Sequence, residues 1–147
     1  MDFNVLHRSI LSIVLLVAIV CSVSCNKGGH IDIFIKNDTD DTLYLSSAKF
    51  QNIRYIPHSI MEIFSEYDEN ASRRDYFMSV INGYKYLSIF IDTTCVAYWQ
   101  MQTSEFPRDS HNFFNPYSWD VQSEVIDNSM YSTFIINDGD LRQQQEE

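Results

Sequence analysis

A chain of 147 residues, 45% hydrophobic and 14% aromatic, is one-domain length and too apolar to stay disordered. Twenty acidic against ten basic side chains give a formal charge of −10, which argues against nucleic acid and anionic lipid as partners.

In chain order, Arg8 precedes an apolar run, residues 10–20 (ILSIVLLVAIV). That is the length of a secretory h-region and shorter than the ~20 apolar residues needed to span a bilayer. Ser22-Val23-Ser24-Cys25 follows and resembles the lipobox of bacterial lipoproteins. The resemblance implies cleavage after residue 24, acylation of the Cys25 thiol, and a cell-envelope location on the outer membrane, with the membrane itself as a partner through the acyl chains. Two or more chains make such anchoring stable, at ~0.8 kcal/mol per buried methylene. Ser22 departs from the aliphatic residue usual in that family. An uncleaved membrane anchor and ordinary signal cleavage nearby are the alternatives. Residues 1–24 are thus read as a signal peptide and 25–30 as a lipidated cysteine with a flexible, glycine-bearing tether. Removal of the signal and acylation of Cys25 leave Cys95 as the one free cysteine, so no internal disulfide is available.

Ile31, Ile33 and Ile35 alternate with polar neighbours and predict a half-buried strand. Residues 37–41 (NDTDD) predict a turn, and residues 42–46 a second strand that completes a hairpin. Residues 59–65 predict a third strand, residues 66–75 a charged loop, and residues 76–81 a short strand closed by an Asn82-Gly83 hairpin turn. Residues 85–92 predict a strand with Leu87, Ile89 and Ile91 inward. Residues 95–101 predict another, with Cys95, Ala97, Trp99 and Met101 buried. Residues 103–116 predict a long loop. Residues 118–126 fit a helix capped by Ser118 or a strand with Trp119, Val121, Ser123 and Val125 on one face, and the helix is preferred. Residues 130–137 predict the last strand. Together these give an all-β domain over residues 31–142, a small antiparallel sandwich of six or seven strands with room for one short helix, and a polar tail at 143–147.

Cys25, IDIFIKNDTDDTLYLSS, YLSIFID and SWDVQSEVIDNSMYSTFIINDGDL together resemble the small lipoproteins of Bacteroidetes, most of which have no assigned activity. The resemblance implies an envelope β-domain and carries over Cys25 alone as a functional residue. Some members bear an acidic run after the cysteine as a surface-export signal, whereas this chain has Asn26-Lys27-Gly28-Gly29, leaving the membrane face open. Asp41-Thr42-Leu43 is similar to the D-T-aliphatic acceptor for O-glycosylation in that phylum.

Catalytic and metal signatures are weak. The 37–41 oxygens lack the sixth-position Gly and twelfth-position Glu of an EF-hand loop. His30, His58 and His111 lack partners at metal-ligand spacing, and no metal or other cofactor is expected. No GxSxG or SxxK motif supports a hydrolase. Cys95 reads as a buried, unreactive thiol. The remaining candidate is aromatic: Phe106, Phe113, Phe114, Tyr117 and Trp119 crowd the 103–119 loop. Such rings either stack on a neutral glycan or a partner protein, or close one end of the sandwich. The expected role is therefore a non-catalytic, lipid-anchored binding or accessory component. The alternatives are a structural subunit that joins an assembly by edge-strand addition, and a hydrolase with an unrecognised site.

Overall fold

The computed structural model describes residues 28–69, 71, 73–124 and 129–141. Cys25, the 1–24 segment and the 143–147 tail lie outside the described residues. Along the chain run β1 (Gly29–Asn37), β2 (Leu43–Ser47), β3 (Ile53–Tyr55), β4 (Ile60–Asp68), α1 (Arg74–Asn82), β5 (Tyr86–Ile91), β6 (Thr94–Gln100), β7 (Trp119–Glu124) and β8 (Ser129–Ile136). They form two four-stranded sheets, ordered β4-β1-β8-β7 and β3-β2-β5-β6. Every neighbouring pair is antiparallel except β1 and β8, which run parallel. The fold is an all-β sandwich, with one short helix among the described residues.

The alternation of Ile31, Ile33 and Ile35 sends all three into the core, where Met130, Phe134 and Ile136 of the neighbouring β8 join them. Leu43, Leu45, Leu87 and Ile89 supply the facing layer from the second sheet. Each such side chain contributes ~1.5–3 kcal/mol on full burial. Ring contacts cross the gap: Trp99 on β6 meets Phe134 on β8 edge-on, centroids 5.3 Å apart.

β1 and β2 do not form the expected hairpin. They belong to different sheets, and the 38–42 segment arches between them. Asn37 explains the crossover. Its buried side-chain amide donates to the carbonyls of Asp41 (2.8 Å) and Ile56 (3.1 Å), while its oxygen accepts from the Thr39 hydroxyl (2.8 Å) and the Thr39 N–H. The backbone N–H of Asn37 bonds Ser59 and that of Asp38 bonds Ile136. The turn oxygens of Asn37 and Thr39 thus serve the joint between the sheets.

Residues 76–81 are helical, not a strand, and the charged 66–75 loop contributes residues to both β4 and α1. Phe77, Val80 and Ile81 are buried, the i, i+3, i+4 spacing of a helix stripe. Asn82 and Gly83 close the helix, so no hairpin turn forms there. The left-handed residue needed to leave the helix is Lys85, at φ 64°. β3 has only three residues, too few to show a periodic pattern in the sequence. The tether also ends earlier than expected, because Gly29 pairs with Asp68 as the first residue of β1. A Cβ at Gly28 would lie 3.0 Å from the Asp68 carbonyl and the Tyr67 ring, so this glycine permits close packing.

The 118–126 segment, preferred as a helix, is strand β7 as far as residue 124, in register with β8 from Trp119↔Phe134 to Glu124↔Ser129. Residues 125–128 lie outside the described residues. Cys95 is exposed, contrary to expectation. Ile89 pairs with Ala97 but Phe90 pairs with Cys95, so Val96 is an inserted bulge residue. The insertion reverses the facing of everything before it, and Cys95 shares the outer side of Phe90.

Candidate functional site

The segment joining β6 to β7, residues 101–118, is an ordered structure built on three polar side chains. Asn112 Oδ1 accepts the N–H of Phe114, and Ser118 Oγ accepts that of Asn112 while donating to the Ser110 carbonyl. Asn115, fully buried, is the hub. Its amide donates to the carbonyls of Pro107 (2.9 Å) and Ser110 (2.6 Å), and its oxygen accepts the N–H of Tyr117 (3.1 Å). Pro107 and Ser110 also close a turn upon each other, with Arg108 within it. One buried amide therefore fixes Arg108 and Tyr117 relative to each other.

The five expected aromatic residues divide. Phe113, Phe114 and Trp119 are buried, so they cannot offer their rings to a ligand as a recognition surface requires. Phe113 touches Tyr84, Phe114, Trp119 and Phe134, with centroids 5.1–5.8 Å apart, and Trp119 adds Phe77 at 5.2 Å. These rings close one end of the sandwich. Phe106 is half-buried, and Tyr117 is 49% exposed.

Tyr117 stands between two clefts. One, of about 350 Å³, is lined by Asn82, Gln102, Glu105 and Phe106, and the other, of about 600 Å³, by Phe77, Asp120 and Val121. Arg74, Pro116 and Tyr117 border both. The guanidinium carbons of Arg74 and Arg108 lie 4.7 and 5.0 Å from the centroid of the Tyr117 ring. Hydrogen bonding to Arg74, reinforced by the charge of Arg108, lowers the pKa of the Tyr117 phenol. α1 supplies Arg74 from its first position. Sequence reasoning missed both arginines: they lie 34 positions apart in sequence, and only the crossing of α1 beneath the loop joins them.

A second polar pair lies on the other side of the loop. His111 Nδ1 is 2.5 Å from Asp140 Oδ1, while Asp140 Oδ2 accepts the Asn137 N–H. The imidazole stacks on Phe134 at 4.9 Å. A histidine with a buried carboxylate on Nδ1 is half of a nucleophile-activating arrangement. Among the described residues, however, no hydroxyl or thiol bonds to that ring. The pair instead latches the loop to the turn after β8. His58 bonds Asp40 at the surface, and His30 packs edge-on against Tyr67. Among the described residues no three His, Cys, Asp or Glu side chains converge on a point where a metal ion could sit, and no helix is long and apolar enough to cross a membrane.

No protein family, curated protein or solved structure matches this chain.

Proposed function

We propose that the chain is a lipid-anchored cell-envelope component that binds and does not catalyse, using the clefts beside Tyr117 to hold a glycan or a partner protein. The observation that carries this reading is the exposure of Tyr117 between two clefts while its neighbours Phe113 and Trp119 anchor the loop from below. An aromatic ring on a rigid base offers large contact area with little conformational entropy to lose. The anchor rests on the lipobox-like sequence ending at Cys25.

Two substitutions test the two halves. Cys25→Ala should release the protein from membranes or leave an unprocessed precursor, and normal processing with membrane retention would overturn the anchor. Tyr117→Ala should abolish capture of envelope glycan or protein without lowering the melting temperature. Unchanged capture would remove the clefts from consideration.

A structural role by edge-strand addition has its own support. β4 is a nine-residue sheet edge with Ile60 and Tyr67 58% and 62% exposed. The same strand carries Glu62, Glu66 and a bulge at Ile63, features that discourage edge pairing. The Tyr117 reading is therefore preferred.

A further inference from the structure

We infer that the Arg74–Tyr117–Arg108 cluster is an anion-recognition site, and that the ligand of the adjoining cleft is a sugar bearing a single carboxylate. The inference rests on the cleft reading above and narrows its ligand.

Of the seven lysines and arginines among the described residues, two stand in ion pairs with carboxylates. Lys36 has Asp38 at 2.8 Å and Arg73 has Asp75 at 3.9 Å. Arg74 and Arg108, like Lys49, Arg54 and Lys85, have no carboxylate within ion-pair distance among the described residues, and Glu105 and Asp120 line the clefts beside them; what sets the two arginines apart is their shared position over Tyr117. They converge on one tyrosine, bringing two like charges within about one Debye length, ~10 Å at 0.1 M salt. An incoming anion relieves that repulsion. Guanidinium groups suit a planar carboxylate, which each can bind through paired N–H donors.

The surroundings define the rest of the ligand. Asn115 fixes the backbone that carries Arg108 and Tyr117 through its buried amide, so the frame of the site is organised before the ligand arrives. The 350 Å³ cleft suits a small ring system. Phe106 offers an apolar face, and Asn82, Gln102 and Glu105 offer hydrogen-bonding groups for hydroxyls. Glu105 also opposes a second negative charge in the cleft, and the overall charge of −10 repels polyanions at longer range. One carboxylate on an otherwise hydroxylated ring satisfies all of these groups.

The test uses the full-length protein in detergent, titrated calorimetrically with a glucuronate-terminated oligosaccharide and with the same oligosaccharide after reduction of its carboxyl to an alcohol. The carboxylate form should bind about tenfold or more tightly, as expected for charge-assisted contacts. The double variant Arg74→Gln, Arg108→Gln should bring the two sugars to parity with the melting temperature unchanged. Should that variant fold poorly, NMR shifts of the arginine Nε–H signals in the unsubstituted protein report the same contact, and their absence counts against it. Equal affinity for both sugars, lost in Tyr117→Ala, would overturn the carboxylate inference and leave the cleft reading standing. Binding of neither sugar would also overturn the inference, and capture of a protein by Tyr117 would then decide the cleft reading separately. Displacement of the sugar by equimolar inorganic phosphate would show that the site reads charge alone, and would overturn the sugar assignment.

Discussion

The indole N–H of Trp119 donates to the carbonyl of Phe113 at 2.8 Å, and the two rings pack 5.1 Å apart. This bond ties the 101–118 loop to the first residue of β7. It explains why a loop rich in aromatic residues presents few of them to solvent. Phe113→Ala should destabilise the protein by ~3–5 kcal/mol, the range for emptying a buried aromatic site. Trp119→Phe should cost ~1–3 kcal/mol, partly from a carbonyl left unpaired. Urea unfolding measures both, and a loss below ~0.5 kcal/mol for Phe113→Ala would remove that ring from the core.

The His111–Asp140 latch has a separate signature. Asp140→Asn weakens the bond to the imidazole and alters the group receiving the Asn137 N–H, so a loss of ~1–3 kcal/mol is expected. Local hydrogen exchange should rise in residues 106–112 more than in β1. Uniform acceleration across the sandwich would contradict the assignment of a local latch.

Tyr55 presents the opposite case. Its ring is fully buried, yet its hydroxyl has no hydrogen-bond partner among the described residues. Tyr55→Phe deletes that group with little change of shape, so stability should be unchanged or rise by up to ~1 kcal/mol. A loss of more than ~1 kcal/mol would mean that a buried water satisfies the hydroxyl.

The tyrosines should also separate in an alkaline titration. Burial pushes the Tyr84 phenol up to about 12, and desolvation with the nearby Tyr84 raises Tyr55 as well. An unfolded tyrosine ionises near pH ~10, so above that value the unfolded chain releases protons that the folded chain retains. Their contribution to stability is present in full below pH ~10 and declines as pH rises towards the folded value. The urea midpoint should fall across that window, and Tyr84→Phe should flatten the fall. Tyr117, lowered by Arg74 and Arg108, should be among the first phenols to ionise by ultraviolet absorbance. Persistence of that early step in Tyr117→Phe would assign it elsewhere.

Cys95 is open to solvent on the outer side of the β5–β6 hairpin. A polar disulfide reagent should label it in the native protein without denaturant, and Cys95→Ser should remove that labelling. Protection equal to that of a core thiol would show that Val96 is not the inserted residue.

Local periodicity was enough to specify the elements whose residues answer to it. Ile31, Ile33 and Ile35 can all be buried only in an extended strand, and the same holds for Leu87 and Ile89 in β5. All-β architecture follows from several such runs with turn residues between them. Tertiary structure decided everything that depended on a partner far along the chain. Asn37 reads as a turn former in either a hairpin or an arch, and the carbonyl of Ile56 selects the arch. Residues 76–81 alternate well enough for a strand, but Phe77, Val80 and Ile81 find the core together only as a helix. Trp119 needed β8 beside it to settle as a strand. Cys95 faces solvent because of a one-residue bulge, which leaves no mark in an alternating pattern yet reverses which face is buried. The candidate site was half legible, since composition drew attention to residues 103–119 and to Tyr117 within them. Arg74 and Arg108 remained hidden because only packing of α1 against the loop sets both beside one ring.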